Sequence, residues 1–226
     1  MQKRFWIYLY FLVLFVNLVS IYTGNNLMHY FSKPLLIPSL IFYFYNSLIN
    51  VNSLLKKWIL LALFFSWLGD MLLMFESTNS NFFIFGLIVF LVAHIFYILF
   101  YDFVLQLEKI KKNYWLFIPV LVYYVFLVSL LSPNLGEMKL PVRIYGIVIS
   151  YMLIQALQTS RIGNKRAALL FILGSLFFMV SDSLLAINKF YNAISHSGLF
   201  IIATYGIAQF LITAGAVKYI SSEAKQ

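Results

Sequence analysis

The sequence predicts an all-α, polytopic membrane protein of eight transmembrane helices, and two observations carry that reading. The first is composition: 226 residues, 63% hydrophobic and only 10% charged, with a mean hydropathy of +0.91. A soluble domain is about half apolar and about a quarter charged, and any soluble fold of this size exposes a large share of its surface. A soluble enzyme, a disordered tail and a nucleic-acid-binding module are therefore excluded. The second is the grouping of the apolar residues into runs of about twenty, the length a helix needs to cross a bilayer. Strands of a membrane barrel would be about ten residues long with apolar/polar alternation, which is absent. Backbone groups in hydrocarbon must pair within their own segment, so the runs read as helices.

In chain order the runs are 5–23, 33–50, 57–75, 82–101, 114–131, 141–159, 167–187 and 199–220, forming a single transmembrane domain over residues 1–226. The first follows Lys3-Arg4, as a signal peptide would. Its apolar stretch is too long for one and no small-x-small cleavage site follows, so a retained helix is expected. The second is the most interrupted, by Pro34, Pro38 and Asn46. The others are delimited by basic residues at their ends, such as Lys56-Lys57, Lys111-Lys112 and Lys165-Arg166. Twelve of the sixteen Lys and Arg fall on one side of the predicted membrane, leaving Lys33, Lys139, Arg143 and Lys189 on the other. That bias puts both termini in the cytoplasm, and the expected location is the bacterial inner membrane. The net charge of +9 thus reads as topology rather than nucleic-acid binding. The chain has no Cys, which excludes disulfides, thiol nucleophiles and Cys-based metal sites. Connections are short, so function belongs inside or at the edge of the bilayer.

Sliding the chain by 112 residues lays the third and fourth helices on the seventh and eighth without a gap. Asp70 falls on Asp182, Leu72-Leu73 on Leu184-Leu185, and Gly86-Leu87 on Gly198-Leu199. The match reads equally as coincidence or as a 4+4 internal repeat, whose halves would share one orientation about an axis along the membrane normal.

Asp70 and Asp182 are the residues most at odds with their surroundings. Of the seven acidic residues they alone sit inside apolar runs, Phe64-Phe65-Ser66-Trp67-Leu68-Gly69 before one and Phe177-Phe178-Met179-Val180-Ser181 before the other. An Asp at the centre of a membrane helix costs about 2.5–3.5 kcal/mol on insertion. Both helices run in the same direction, and each carboxyl lies about 20 Å from its cytoplasmic end. They should share a depth nearer the outer leaflet. Packing glue between helices is the plainer alternative; two carboxyls sharing one proton would instead hold an acid and a base side by side.

His94 is the one histidine expected inside a span, on a stripe with Gly86, Phe90, Tyr97 and Tyr101. A neutral histidine bonded to a backbone carbonyl is its structural reading; substrate binding or orientation of a carboxyl is its functional one. His29 and His196 fall in expected outer loops, and no His-x3-His or His-Glu-x2-His spacing occurs, so no metal is expected. Further intramembrane polar groups are Asn17, Tyr145, Gln155, Tyr205 and Gln209, the last two on one helical face. Lys33, at the expected outer end of the second helix, is a snorkelling anchor or a partner for a lipid phosphate. No nucleophile elbow or phosphate-binding glycine loop appears.

These residues, in this order, resemble the lysoplasmalogenase family of membrane proteins, also called YhhN-like. The matching pieces are Lys33-Pro34-Leu35, Leu68-Gly69-Asp70-Met71-Leu72, Gly86 with Ala93-His94-Ile95-Phe96-Tyr97, Pro141-Val142 with Tyr145, Gly174 with Ser181-Asp182, and Tyr205 with Gln209. They reach from the second helix to the eighth. The stretch Leu35-Leu36-Ile37 departs from the family's Lys-Pro-Leu-Thr form and offers no hydroxyl there. The resemblance implies an eight-helix hydrolase of lysoplasmalogens, lysophospholipids with one vinyl-ether chain and a phosphoethanolamine or phosphocholine head. The products would be a fatty aldehyde and a glycerophospho-alcohol. It also implies catalysis by two intramembrane aspartates, here Asp70 and Asp182, without a cofactor. Lys33, His94, Tyr97, Tyr145, Tyr205 and Gln209 would bind substrate.

The chemistry suits a carboxyl pair. A vinyl ether breaks when an acid protonates its β-carbon and water captures the resulting oxocarbenium ion; glycosidases meet a related cation with two carboxyls. Two other readings use the same features: a proton-coupled transporter and a non-catalytic lipid-binding protein. The third and seventh helices lack the prolines that often break transporter helices.

Overall fold

The computed structural model describes residues 2–224, with side chains from Arg4 onward. Eight α-helices follow one another among the described residues: α1 (Gln2–Thr23), α2 (Asn26–Ser47), α3 (Leu55–Met74), α4 (Asn81–Leu107), α5 (Phe117–Leu131), α6 (Lys139–Gln158), α7 (Lys165–Phe190) and α8 (Ser197–Glu223), joined by short turns, some of them single 3₁₀ turns. No strand occurs among the described residues. Seven of these helical segments are long and apolar enough to cross a membrane; α2, which carries His29, Ser32, Lys33, Ser39 and Asn46, is not one of them. Of the basic residues that set the expected orientation, the Lys3 side chain and Lys225 lie outside the described residues.

The polarity of the molecule is that of a chain in lipid. Leu121, Val122, Val125 and Phe126 of α5 are exposed, while Ser66, His94, Ser175, Gln209 and Thr213 are wholly buried. Apolar side chains gain little by leaving lipid, so tight packing and polar contacts must hold the helices together. Gly174 illustrates the first. A Cβ there would lie 2.9 Å from the backbone nitrogen of Ile212 and 3.1 Å from the Ala208 carbonyl oxygen, so α7 and α8 meet backbone to backbone. Tyr10 illustrates the second, its hydroxyl donating to the Gly206 carbonyl across α1 and α8 at 2.6 Å.

Helices α3 and α4, α7 and α8, and α1 and α2 pack as the most extensive pairs. Further contacts run α2 to α3, α4 to α6, α6 to α7 and α8 to α2. The six helices α2, α3, α4, α6, α7 and α8 therefore close a ring. Helix α1 lies against α2 and α8, and α5 against α6 and α7. Helix α5 contributes only Val120 and Leu131 to the buried interior.

Helix α2 corrects the expected start at residue 33. It begins at Asn26, because the Asn25 side chain accepts from the Met28 amide at 3.1 Å and caps the helix end. Both prolines then lie inside it. Pro38 has no N–H for the carbonyl of residue 34, and the Trp67 indole of α3 supplies one, donating to the Pro34 oxygen at 3.0 Å. A break in one helix thus becomes a tie to its neighbour. Two consequences follow: Lys33 is buried two turns into α2 rather than at its end, and His29 belongs to α2 rather than to a loop. The expected fourth span is also short, since α4 runs on to Leu107. Asp102 therefore lies within that helix, bonded by the Gln155 amide of α6.

Candidate active site

Asp70 sits on α3, 15 residues from Leu55, and Asp182 on α7, 17 residues from Lys165. At 1.5 Å per residue these are roughly 22 and 26 Å along their helices. Both helices start at the same end of the bundle, since each connecting turn reverses the chain. The two carboxyls line one cavity of about 320 Å³ inside the helix ring, within the range of about 300–1,000 Å³ for small-molecule sites. Its wall is mostly apolar, with Leu73, Phe90, Leu185 and Ile202 among the lining residues. His29 and Glu76 join it toward the end where α1 turns into α2 and α3 into α4.

Each aspartate is held by a tyrosine from another helix. Tyr205 of α8 donates to Asp70 Oδ2 at 2.8 Å, and Asp70 is 3% exposed. Tyr145 of α6 donates to Asp182 Oδ2 at 2.6 Å. The same oxygen lies 3.6 Å from His94 Nε2 of α4. Phe178, one turn before Asp182, packs edge-on against both the His94 ring at 4.6 Å and the Tyr205 ring at 5.5 Å, locking their planes.

The protonation of His94 follows from its partners. Nδ1 is 2.6 Å from the Phe90 carbonyl oxygen, which can only accept, so Nδ1 carries a hydrogen. In the neutral ring Nε2 is then a bare acceptor, and among the described residues no group donates to it. A bare nitrogen facing a bare carboxylate is repulsive. A proton on Asp182 would remove that repulsion.

Lys33 also lines the cavity. It is 8% exposed, and among the described residues it has no ion pair within 4 Å. A buried ammonium without a countercharge in contact is costly; Asp70 and Glu76, which line the same cavity, are the acids that act on it.

The structure thus brings five of the eight expected site residues, Asp70, Asp182, Lys33, Tyr145 and Tyr205, to one cavity, with His94 directly behind Asp182. Tyr97 and Gln209 are elsewhere. Tyr97 donates to Gln209 Oε1 at 2.5 Å, and neither residue lines the cavity. They join α4 to α8 about one turn further from the cavity mouth than His94 and Tyr205. His29, Glu76 and Phe178 are the site residues that sequence reasoning missed. Phe178 had a usable signal, its i,i+4 spacing from Asp182; Glu76 had none, being an ordinary charge at a helix end.

Comparison with known proteins finds relatives of this chain. Rat lysoplasmalogenase TMEM86B is 31% identical over 159 residues, which is 70% of this chain and 60% of that protein. Human lysoplasmalogenase TMEM86A is 29% identical over 165 residues, 71% of this chain and 65% of that protein. The chain therefore spans between three fifths and two thirds of these relatives. No solved structure matches it. The YhhN family matches residues 28–216, which takes in α2 through most of α8 and both aspartates, and the chain belongs to that family.

Proposed function

We propose that this protein is a membrane-embedded hydrolase that cleaves the vinyl-ether bond of lysoplasmalogens, releasing a fatty aldehyde and a glycerophospho-alcohol. The relatives named lysoplasmalogenase support the substrate class. The observation that carries the mechanism is that Asp70 and Asp182, from two helices, line one apolar-walled cavity together with the Lys33 ammonium.

In this reading the alkenyl chain lies along the apolar wall and Lys33 holds the head-group phosphate. Asp182, carrying its proton in this reading, is the acid. It protonates the β-carbon of the vinyl ether, and the electron pair of the C=C bond forms the new C–H bond. The oxocarbenium ion left behind is stabilised by the Asp70 carboxylate, which then takes a proton from the attacking water. The hemiacetal collapses to aldehyde and alcohol, its hydroxyl proton passing to the leaving oxygen. Tyr145 and Tyr205 hold the two carboxyls in place, and Tyr97 with Gln209 braces α4 against α8 beneath them. No step needs a cofactor or metal.

All eight helices cross the membrane in this account, α2 doing so as a member of the ring with Ser32, Lys33 and Ser39 buried against protein. Both termini are cytoplasmic, and the bacterial inner membrane is the proposed location. A 4+4 repeat is supported by the helix contacts, which recur four helices on: α2–α3 as α6–α7, α3–α4 as α7–α8, α4–α6 as α8–α2. The Tyr97–Gln209 bond also joins residues 112 apart, the offset of the sequence match, as positions close to an axis between the halves can be.

The test is aldehyde release from a lysoplasmalogen by the purified protein in detergent. Wild type turns over, while Asp70→Asn and Asp182→Asn do not. Proton-coupled transport without aldehyde release overturns the hydrolase reading in favour of a transporter.

A further inference from the structure

At the mouth of the cavity the structure holds an ammonium in a ready-made cation site. Glu76, in the turn after α3, and Phe83, in the first turn of α4, both line the cavity. The Lys189 ammonium of α7 donates to Glu76 Oε1 and lies 4.9 Å from the centroid of the Phe83 ring. A carboxylate and an aromatic face on one nitrogen are the two elements that recognise a cationic head group. Phe83 is 3% exposed and its edge is fixed by Phe190 at 5.8 Å, so that face of the site is rigid. The occupant is not: the Lys189 side chain is 39% exposed, on a four-carbon stem that can swing into water.

We infer that Glu76 and Phe83 form the head-group subsite and select lysolipids bearing a primary ammonium, which displaces Lys189. This rests on the hydrolase reading above and names the head group that the reading leaves open. Lys33 lines the same cavity and has no ion pair within 4 Å among the described residues, so a zwitterionic head finds a cation for its phosphate and an anion for its amine. The Lys189 contact is a hydrogen-bonded pair, which a primary ammonium can copy. A quaternary ammonium has no N–H and keeps only the ring contact.

The experiment compares two vinyl-ether lysolipids that differ only in the amine, a phosphoethanolamine form and its N-acetylated form, with full-length wild type, Glu76→Gln and Lys189→Met. Wild type prefers the free amine in kcat/KM by about tenfold or more, the scale of a charge-assisted hydrogen bond. Glu76→Gln brings the ratio close to one, through KM rather than kcat. Lys189→Met, which frees Glu76, lowers KM for the amine form alone. Equal ratios in all three proteins overturn the subsite while leaving the hydrolase intact. Aldehyde from neither lipid with wild type overturns the hydrolase reading, and the subsite with it.

Discussion

Replacing Tyr145 by Phe removes one oxygen and leaves the ring that packs edge-on against His94 at 5.3 Å. What is lost is the 2.6 Å hydrogen bond to Asp182 Oδ2. If Asp182 is the acid, its carboxylate appears as the proton leaves for the substrate carbon, so that bond strengthens along the reaction. A hydrogen bond to a charged group is worth about 1.5–3 kcal/mol, or roughly a 10- to 150-fold fall in kcat. Because the hydroxyl is engaged with Asp182, KM for the lysolipid should change little. Steady-state aldehyde release by Tyr145→Phe, with thermal unfolding as a control for folding, measures both. An unchanged kcat, or a loss confined to KM, would refute the claim that this tyrosine serves the acid.

Other residues give independent outcomes. Lys33→Met should raise KM about tenfold or more by removing the charged partner of the phosphate, with kcat nearly unchanged; aldehyde-release kinetics check it. Trp67→Phe leaves the Pro34 carbonyl without a donor, which costs about 1–3 kcal/mol of stability and appears as a lower unfolding temperature in detergent. Gly174→Val drives carbon into the Ile212 backbone and should destabilise the α7–α8 pair by about 1–3 kcal/mol or more. The same assay reads it, and a silent substitution would deny the close approach.

Apolar runs located every helix, because hydrocarbon demands a length that few other constraints can mimic. The start of α2 was hidden. Lys33, Pro34 and Pro38 look like the end of a span, and only the Asn25 cap and the Trp67 indole, a residue 33 positions away from Pro34, make them its interior. His29 reads as a loop residue for the same reason. The two acids were legible because a carboxyl among phenylalanines is expensive wherever it sits. Tyr145 and Tyr205 were nameable as polar groups in a span, but their pairing with one aspartate each is a tertiary fact. Tyr97 shows the limit of helical periodicity, which reports the face of a residue but not its depth. It shares an inward face with His94, yet ends on Gln209 rather than in the cavity. Glu76 carried no signal, since charges at helix ends are usually solvated and its place in the cavity depends on three helices meeting.

The most direct test of the carboxyl chemistry is the isotopic content of the aldehyde formed in D₂O and trapped at once. Proton transfer from Asp182 to the vinyl-ether β-carbon predicts one deuterium on the carbon next to the carbonyl in every molecule of product. An aldehyde without that deuterium would mean the bond is broken without protonation at carbon, and would contradict the account.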